Sequence, residues 1–485
     1  MTFLDIFNEK DIVKKIFDET CKHAKPGADK ITYKEFEDNF ELNISVIKNK
    51  ILCKKYKFTR FEIFLKVKKH YQLPRLIFKP SIRDKFVSKV MCQYILSVYE
   101  EKRYIPSKTR NAVLEDLSKQ LKRKENNNYI FHNYIRLDIS SFFDSINRQL
   151  LISKLKDDKL DSHFMYLIDK LFYTMDLSMD IPSGKGVPQG ISISSILAER
   201  YLKELDEKYS MNLDKNKVFF IRYVDDILIF VDSEKTLKEI KQSLIFELQS
   251  TYTLELNKDK VSDGSLDKDS FDFLGINVKK HKISVSENQY IRITKQINDL
   301  FKWYKRCLKN KAYPFKDAEN DRIMNSLLEK LNLMITGYIY YSSVKNRRAK
   351  FGWVLTSLPK ELDDTDSLKK LDKYIDFMIN NYVDNQHHRK LLSKKKKSFY
   401  QTFLKAHFQG NQDDYIIVRE HIKNDENLMY KMTCNLSLVD LKYGLDYNHY
   451  NEKEFEEKTK ESLYHYFCKT LYIANRDLTS DILYW

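Results

Sequence analysis

Two adjacent carboxylates, Asp225 and Asp226, interrupt an apolar stretch: Phe219-Phe220-Ile221-Arg222-Tyr223-Val224 precedes them and Ile227-Leu228-Ile229-Phe230 follows. Such runs favour strands, and an acidic pair between two of them predicts a hairpin whose tight turn carries the carboxylates. Neighbouring carboxylates in an apolar setting repel each other and are costly to desolvate unless a cation neutralises them. Mg²⁺ suits such a pair, because it takes oxygen ligands and is commonly held by one or two carboxylates plus substrate phosphates. The chemistry within reach of these residues is metal-assisted displacement at phosphorus.

A third carboxylate is placed to join them. In Tyr134-Ile135-Arg136-Leu137-Asp138-Ile139-Ser140-Ser141-Phe142-Phe143-Asp144, apolar residues lead to Asp138 and the spacing turns helical after it. That predicts a carboxylate at a strand's end, able to share metal ions about 3.5–4 Å apart with Asp225 and Asp226. Asp144 reads as a helix-side residue rather than a ligand. Gly184, Gly186 and Gly190 fall within seven residues, which allows backbone to approach a ligand closely, and a Ser-capped helix running through Leu205 is expected next. The Gly184-Lys185 pair lacks the frame of a phosphate-binding P-loop. Arg75 and Lys79 stand in a segment that reads as basic strand, Pro turn and helix from Phe86 to Tyr99. Cations so placed clamp a triphosphate in phosphoryl transfer, and Arg75 is the stronger candidate because its guanidinium binds phosphate bidentately.

The chain that must position these groups has 485 residues, with 85 Lys and Arg against 69 Asp and Glu, a formal charge of +16. A balance this basic favours a polyanionic partner, either nucleic acid or an acidic membrane surface. The length allows several domains and a substantial core. Few Gly and Pro, beside abundant Lys, Leu, Glu and Ile, point to a helix-rich α+β protein. Tyr and Phe are numerous and interleaved with Lys, a pattern that suits base stacking beside a phosphate-tracking groove and equally the filling of a core. The scattered cysteines form no C-x-x-C pair, so neither a zinc knuckle nor a disulfide framework is indicated. No apolar run is long enough to predict a membrane span, and the first residues lack a signal-peptide pattern. The expectation is a cytoplasmic protein with no membrane partner.

The order of these segments resembles that of reverse transcriptases. Asp138 with Phe142-Phe143-Asp144, then Gly186-Val187-Pro188-Gln189-Gly190, then Tyr223-Val224-Asp225-Asp226 resemble their blocks A, B and C. Leu254-Glu255-Leu256-Asn257-Lys258-Asp259-Lys260 resembles block D, Phe271-Asp272-Phe273-Leu274-Gly275-Ile276 resembles block E, and Pro74 through Lys85 is similar to the fingers segment of the bacterial enzymes. The resemblance implies an α+β right-hand polymerase. Fingers and palm, with an antiparallel sheet, would occupy 61–293 and a helical thumb 294–385, between a helical N-terminal extension over 1–60 and a helical C-terminal extension over 386–485.

It implies further that Asp138, Asp225 and Asp226 hold two Mg²⁺ ions, assisted by the backbone carbonyl of Ile139. Phe143 stands five positions after Asp138, where the family keeps an aromatic gate against the ribose 2′-hydroxyl, so deoxynucleotides are the implied substrates. Ser140, Ser141, Phe142 and Gln189 would contact the incoming nucleotide, and Arg75 and Lys79 its triphosphate. Lys260 would protonate the leaving pyrophosphate, with Lys258 as second choice. Tyr223, Val224 and Gly190 would meet primer and template, and Leu274-Gly275 would form the primer grip.

Departures from the pattern narrow the subfamily. Ser194-Ser195 and Leu197-Ala198-Glu199 stand where group II intron enzymes carry Ser-Pro and Leu-Ala-Asn. The Asn-Ala-x-x-His of retrons is missing, as are an endonuclease Cys/His pattern and a ribonuclease H carboxylate set. The sequence is then most similar to the bacterial defence-associated (unknown-group and abortive-infection, antiphage) reverse transcriptases, whose thumb resembles Asn332 through Tyr338 and Arg347 through Trp353. That implies DNA synthesis on a dedicated noncoding RNA template, with RNA, the DNA product and dNTPs as partners, and a homo-oligomer or a partner defence protein as options. Template-independent or protein-primed synthesis, an intron-type maturase, and a catalytically retired RNA-binding scaffold are the alternatives. Ile297, Leu300, Phe301 and Tyr304 predict a thumb helix, and Arg347 and Arg348 lie in a basic cluster expected on a helical face against the template–primer backbone. The adjacent His387 and His388 lack a metal-binding frame. The tail, with Tyr415, Tyr430, Tyr443, Tyr447 and Tyr450 and a helix-like run from Glu452 to Tyr472, carries no motif.

Overall fold

A computed structural model of the chain describes residues 2–22, 24–66, 75–101, 109–179, 184–211, 213–310, 320–336, 338–342, 347–351, 353–354 and 358–407. These fall into two units, one ending at Asp269 and one beginning at Ser270.

The first unit opens with a 3-10 turn, Phe3–Asn8, and helices α1 (Lys10–Cys21), α2 (Tyr33–Glu37) and α3 (Phe40–Leu52). A capping box of Thr32 and Glu35 starts α2. This segment is helical as expected, yet it is no appendage. Phe3, Val13, Phe17 and Ile47 belong to the same buried cluster as Phe86, Val90 and Ile95 further along. Strands β1 (Glu62–Lys66) and β2 (Arg75–Lys79) pair antiparallel. Pro80 follows, and the Ser81 hydroxyl accepts from Asp84 N at 3.2 Å to cap α4 (Ile82–Glu101), which therefore begins a turn earlier than its apolar spacing predicts.

Helix α5 (Arg110–Leu121) and a small hairpin, β3 (Lys124–Glu125) with β4 (Asn128–Tyr129), lead into β5 (Asn133–Asp138). Helices α6 (Phe142–Ser145), α7 (Arg148–Asp157) and α8 (Ser162–Met179) come next. The single Ser-capped helix expected after the glycines is two, α9 (Ser194–Tyr201) and α10 (Lys203–Met211), parted at Leu202. Ile193 occupies the N-cap of α9, because the Ser194 hydroxyl is spent on Pro188 O at 2.6 Å. Strands β6 (Val218–Tyr223) and β7 (Asp226–Val231), helix α11 (Glu234–Ser250), a 3-10 turn at Lys258–Lys260 and β8 (Ser262–Ser265) complete the described unit. The sheet is antiparallel in the order β6-β7-β5-β8. Its alternation sorts the residues: Ile135, Leu137, Ile227, Ile229 and Val231 join the helical core, while Arg136, Asp138, Asp226 and Leu228 share the other face.

The second unit begins with an antiparallel meander of β9 (Ser270–Phe273), β10 (Ile276–Lys279) and β11 (Lys282–Val285). Helices α12 (Glu287–Asn310) and α13 (Asn320–Thr336), a hairpin of β12 (Tyr338–Ser342) and β13 (Arg347–Phe351), and helices α14 (Asp366–Tyr382), α15 (Gln386–Lys395) and α16 (Phe399–His407) follow. Ile297, Phe301 and Tyr304 are buried on α12, on the face their spacing predicted. Arg347 and Arg348 correct the expectation. They lie in strand β13, opposite Ser342 and Tyr341, and not on a helix. The Tyr-Ile-Tyr-Tyr run of β12 favours extended backbone and draws its partner into a hairpin. Gly337, Lys345 and the tail from residue 408 on, with its tyrosines and the run from Glu452 to Tyr472, lie outside the described residues. No helix among the described residues is long and apolar enough to cross a membrane.

Candidate active site

Strands β6 and β7 are joined by a two-residue turn, Val224-Asp225, so only Asp225 is in the turn and Asp226 is the first residue of β7. Val224 has φ +57°, a left-handed conformation that costs a β-branched residue on the order of 1–3 kcal/mol. Asp138 ends β5 directly opposite Asp226. Ile139 N donates to Asp225 O at 3.0 Å. Three carboxylates from two distant stretches of sequence thus meet at one end of the sheet. The block-D-like stretch is laid beside them: Asn257 N donates to Asp138 O and Ser140 N to Glu255 O, both at 2.8 Å, and Ile139 bridges Leu256. Lys260, in the 3-10 turn, donates its Nζ to Asp138 Oδ1 at 2.7 Å.

The electrostatics describe a site short of positive charge. Burial, then the nearby Asp138, pushes the Asp225 carboxyl above its usual range. Burial, then Asp225 and Asp138, pushes Asp226 up to about 6, with Arg136 and Lys260 pulling the other way. Arg75 pulls Asp225 down, which puts this cation within electrostatic reach of the acidic turn. Among the described residues no three acidic, His or Cys side chains already form a closed metal cage, and Lys260 holds one oxygen of Asp138. Three carboxylates and a neighbouring carbonyl are nevertheless the donor set that Mg²⁺ takes, and a divalent ion would remove the repulsion that raises Asp225 and Asp226. The residues fit the ion.

Around this centre the glycine-rich stretch is tied down. Ser141 stands at the N-cap of α6 with φ +47°. Phe142 is buried, and the half-buried Phe143 packs edge-on against it at 5.8 Å between ring centroids. Val187 N donates to Phe143 O at 2.8 Å, and Gly186 N to Ile146 O at 2.7 Å. Gly190 has φ +98°, and a Cβ there would stand 2.7 Å from Phe78 O, so only glycine lets β2 approach this closely. Phe78 N donates to Gln189 O at 2.7 Å and fastens β2 to the loop. The Gln189 side-chain amide donates to Asp144 Oδ1 at 3.3 Å, which gives the helix-side aspartate a task that its spacing did not reveal.

Other expected residues are placed elsewhere. Lys79 pairs with Glu62 Oε2 at 2.8 Å and stands four residues along β2 from Arg75, roughly 13 Å at strand rise. Leu274 (φ +46°) and Gly275 (φ +83°) form the β9–β10 turn of the second unit, where Arg347 and Arg348 also lie.

Sequence reasoning missed two buried arginines. Arg222, on β6, donates Nη2 to Glu199 Oε2 at 2.8 Å and to Asp206 Oδ2 at 2.5 Å, and Nη1 to Val224 O at 2.8 Å. Burial works against its charge, but Glu199 and Asp206 outweigh that and raise the guanidinium's pKa. Arg148 donates Nε to Gly186 O at 2.8 Å and Nη1 to both oxygens of Asp176 at 2.8 Å. A signal was present at Arg222, since a lone charge in an otherwise apolar strand must be paired if it is buried.

Residues 67–278 match the family described as reverse transcriptase (RNA-dependent DNA polymerase). Protein YkfC of Escherichia coli (strain K12) is 27% identical over 170 residues, 28% of this chain and 44% of YkfC, so the match spans less than half of that relative. Among solved structures, apo telomerase from Candida tropicalis is similar at 14% identity and a TM-score of 0.40, over 83% of this chain and 68% of that one. Telomerase from Candida albicans in complex with a TWJ fragment of telomeric RNA is similar at 14% identity and a TM-score of 0.38, over 80% of this chain and 68% of that one.

Proposed function

We propose that the reverse transcriptase domain carried by residues 67–278 is an active RNA-directed DNA polymerase that makes DNA from dNTPs with two Mg²⁺ ions. The observation that carries this reading is Asp138 opposite Asp226 with Asp225 in the adjoining turn. Bound there, the ions would acidify the attacking 3′-hydroxyl and neutralise charge on the triphosphate and leaving group. Asp138, Asp225, Asp226 and the carbonyl of Ile139 hold them. Arg75 orients the triphosphate, and its position near Asp225 makes it the principal cation there, because Lys79 is engaged by Glu62. Ser140, Ser141, Phe142 and Gln189 contact the nucleotide, and Phe143 excludes a 2′-hydroxyl. Lys260 Nζ, already beside Asp138, gives a proton to the leaving pyrophosphate. Tyr223, Val224 and Gly190 meet the primer and template, Leu274-Gly275 grips the primer, and Arg347 and Arg348 hold backbone phosphates.

The template is a dedicated noncoding RNA, and the setting is bacterial antiphage defence. Support for this comes from Ser194-Ser195, Leu197-Ala198-Glu199 and the thumb-like stretch from Asn332, which depart from the intron and retron patterns.

Primer extension on an RNA template tests the activity. The full chain with Mg²⁺ and labelled dNTPs is expected to make DNA, and Asp225→Asn with Asp226→Asn to lose synthesis while still binding RNA. A wild type that incorporates nothing, or a variant as active as wild type, overturns the reading. Phage plating on cells carrying either form tests the setting, and equal plating on both removes the defence role.

A further inference from the structure

We propose that the buried trio Arg222, Glu199 and Asp206 is a clamp that holds the acidic turn in the shape metal binding requires, with Arg222 as its positioning residue. The inference rests on Asp225 being a metal ligand, as proposed above.

Arg222 is paired in register with Ile227, so its side chain leaves the sheet on the face opposite Asp226. There its guanidinium is fully subscribed. Nε donates to Asp206 Oδ1 at 2.7 Å, Nη2 to Asp206 Oδ2 and Glu199 Oε2, and Nη1 alone is turned forward, to Val224 O at 2.8 Å. One carboxylate would have neutralised the cation. Two carboxylates, from the separate helices α9 and α10, fix the plane of the fork and thus the direction in which its last donor points.

The acceptor at the end of that fork belongs to the peptide joining Val224 to Asp225. On the far side of Asp225, the next peptide carbonyl accepts from Ile139 N at 3.0 Å. Both peptide planes flanking Asp225 are therefore held from outside the turn, and with them the direction of its Cα–Cβ bond. The clamp is needed because Val224 stands at φ +57°, which a β-branched residue leaves readily unless the surroundings over-determine it. Lysine, a point charge on a flexible stem, cannot replace a fork that serves two carboxylates and a carbonyl together.

A double-mutant cycle separates positioning from mere burial of charge. The metal-free full chain is titrated with Mn²⁺, and bound ion is read by electron paramagnetic resonance, beside a thermal melt by circular dichroism. Arg222→Lys is expected to weaken Mn²⁺ binding by about 10–100-fold, the usual effect of removing a group that orients a metal ligand. Val224→Gly removes the left-handed penalty, so in that background Arg222→Lys is expected to cost less than about 3-fold, since the conformation no longer needs holding. Unchanged affinity in Arg222→Lys overturns the clamp. So does an equal loss in both backgrounds, or, where Arg222→Lys fails to fold, a failure of Val224→Gly to restore folding. If the wild type binds Mn²⁺ and shows the coupling but makes no DNA, the polymerase reading fails and the clamp stands. If it makes DNA without the coupling, only the clamp fails.

Discussion

Two hairpins, one in each unit, turn through two residues and set a branched aliphatic side chain in the left-handed region: Val224 (φ +57°) before Asp225, and Leu274 (φ +46°) before Gly275. In the second, Gly275 at φ +83° carries the other left-handed conformation with no Cβ to clash, the usual solution for a turn whose twist must match its strands. In the first, an aspartate fills the place that glycine takes in the other, and the backbone is held by a guanidinium and an amide that arrive from elsewhere. A turn that only connects strands can be stabilised by its own residues. One that must present a carboxylate is held from outside.

Exchanging the chemistry of the two turns gives the largest expected effect. Asp225→Gly makes the first turn resemble the second, and it is expected to keep the fold while primer extension falls to background; retained synthesis would show that the carboxylate is dispensable. The reverse manipulation is structural. Gly275→Val forces a second β-branched or branched residue to positive φ and is expected to cost about 1–3 kcal/mol in a thermal or denaturant melt. An unchanged melting point would mean that the β9–β10 turn relaxes to another form.

Proton linkage sharpens the contrast further, because only the first turn carries carboxylates. Asp226 is raised from 3.8 to about 6, so between those values the folded, metal-free chain binds more protons than the unfolded one. Its contribution to stability is full below about pH 3.8 and is lost as the pH rises through about 6. The metal-free wild type is expected to lose more stability than Asp226→Asn between pH 4 and pH 7, and added Mg²⁺ to raise the melting point more at pH 7 than at pH 5. Parallel pH profiles for the two proteins would refute this. The smallest effect is expected from Val224→Gly, within about 1 kcal/mol of wild type by melting, because relief of left-handed strain offsets lost packing and a freer unfolded chain.

The candidate site was legible wherever its chemistry is written locally. Asp138 at a strand end, the hairpin around Asp225 and the close approach at Gly190 follow from residue type and short-range pattern, and the strands formed where apolar alternation placed them. Partners far apart in sequence were not legible. Lys79 read as a phosphate clamp because nothing in its own segment announces Glu62, and Asp144 read as a bystander because Gln189 lies on another loop. The strand holding Arg347 and Arg348 was hidden because a basic stretch has no strong period of its own and follows the aromatic strand opposite.

Residue chemistry and local periodicity by themselves determined the acidic centre, the strands that carry it and the glycines that permit close approach, since each depends on a few neighbouring residues. Tertiary structure alone decided the register that sets Asp138 across from Asp226, and the convergence of Glu199 and Asp206 on Arg222. Those contacts depend on how helices and strands pack across tens of intervening residues, where many pairings share one sequence pattern and burial selects among them.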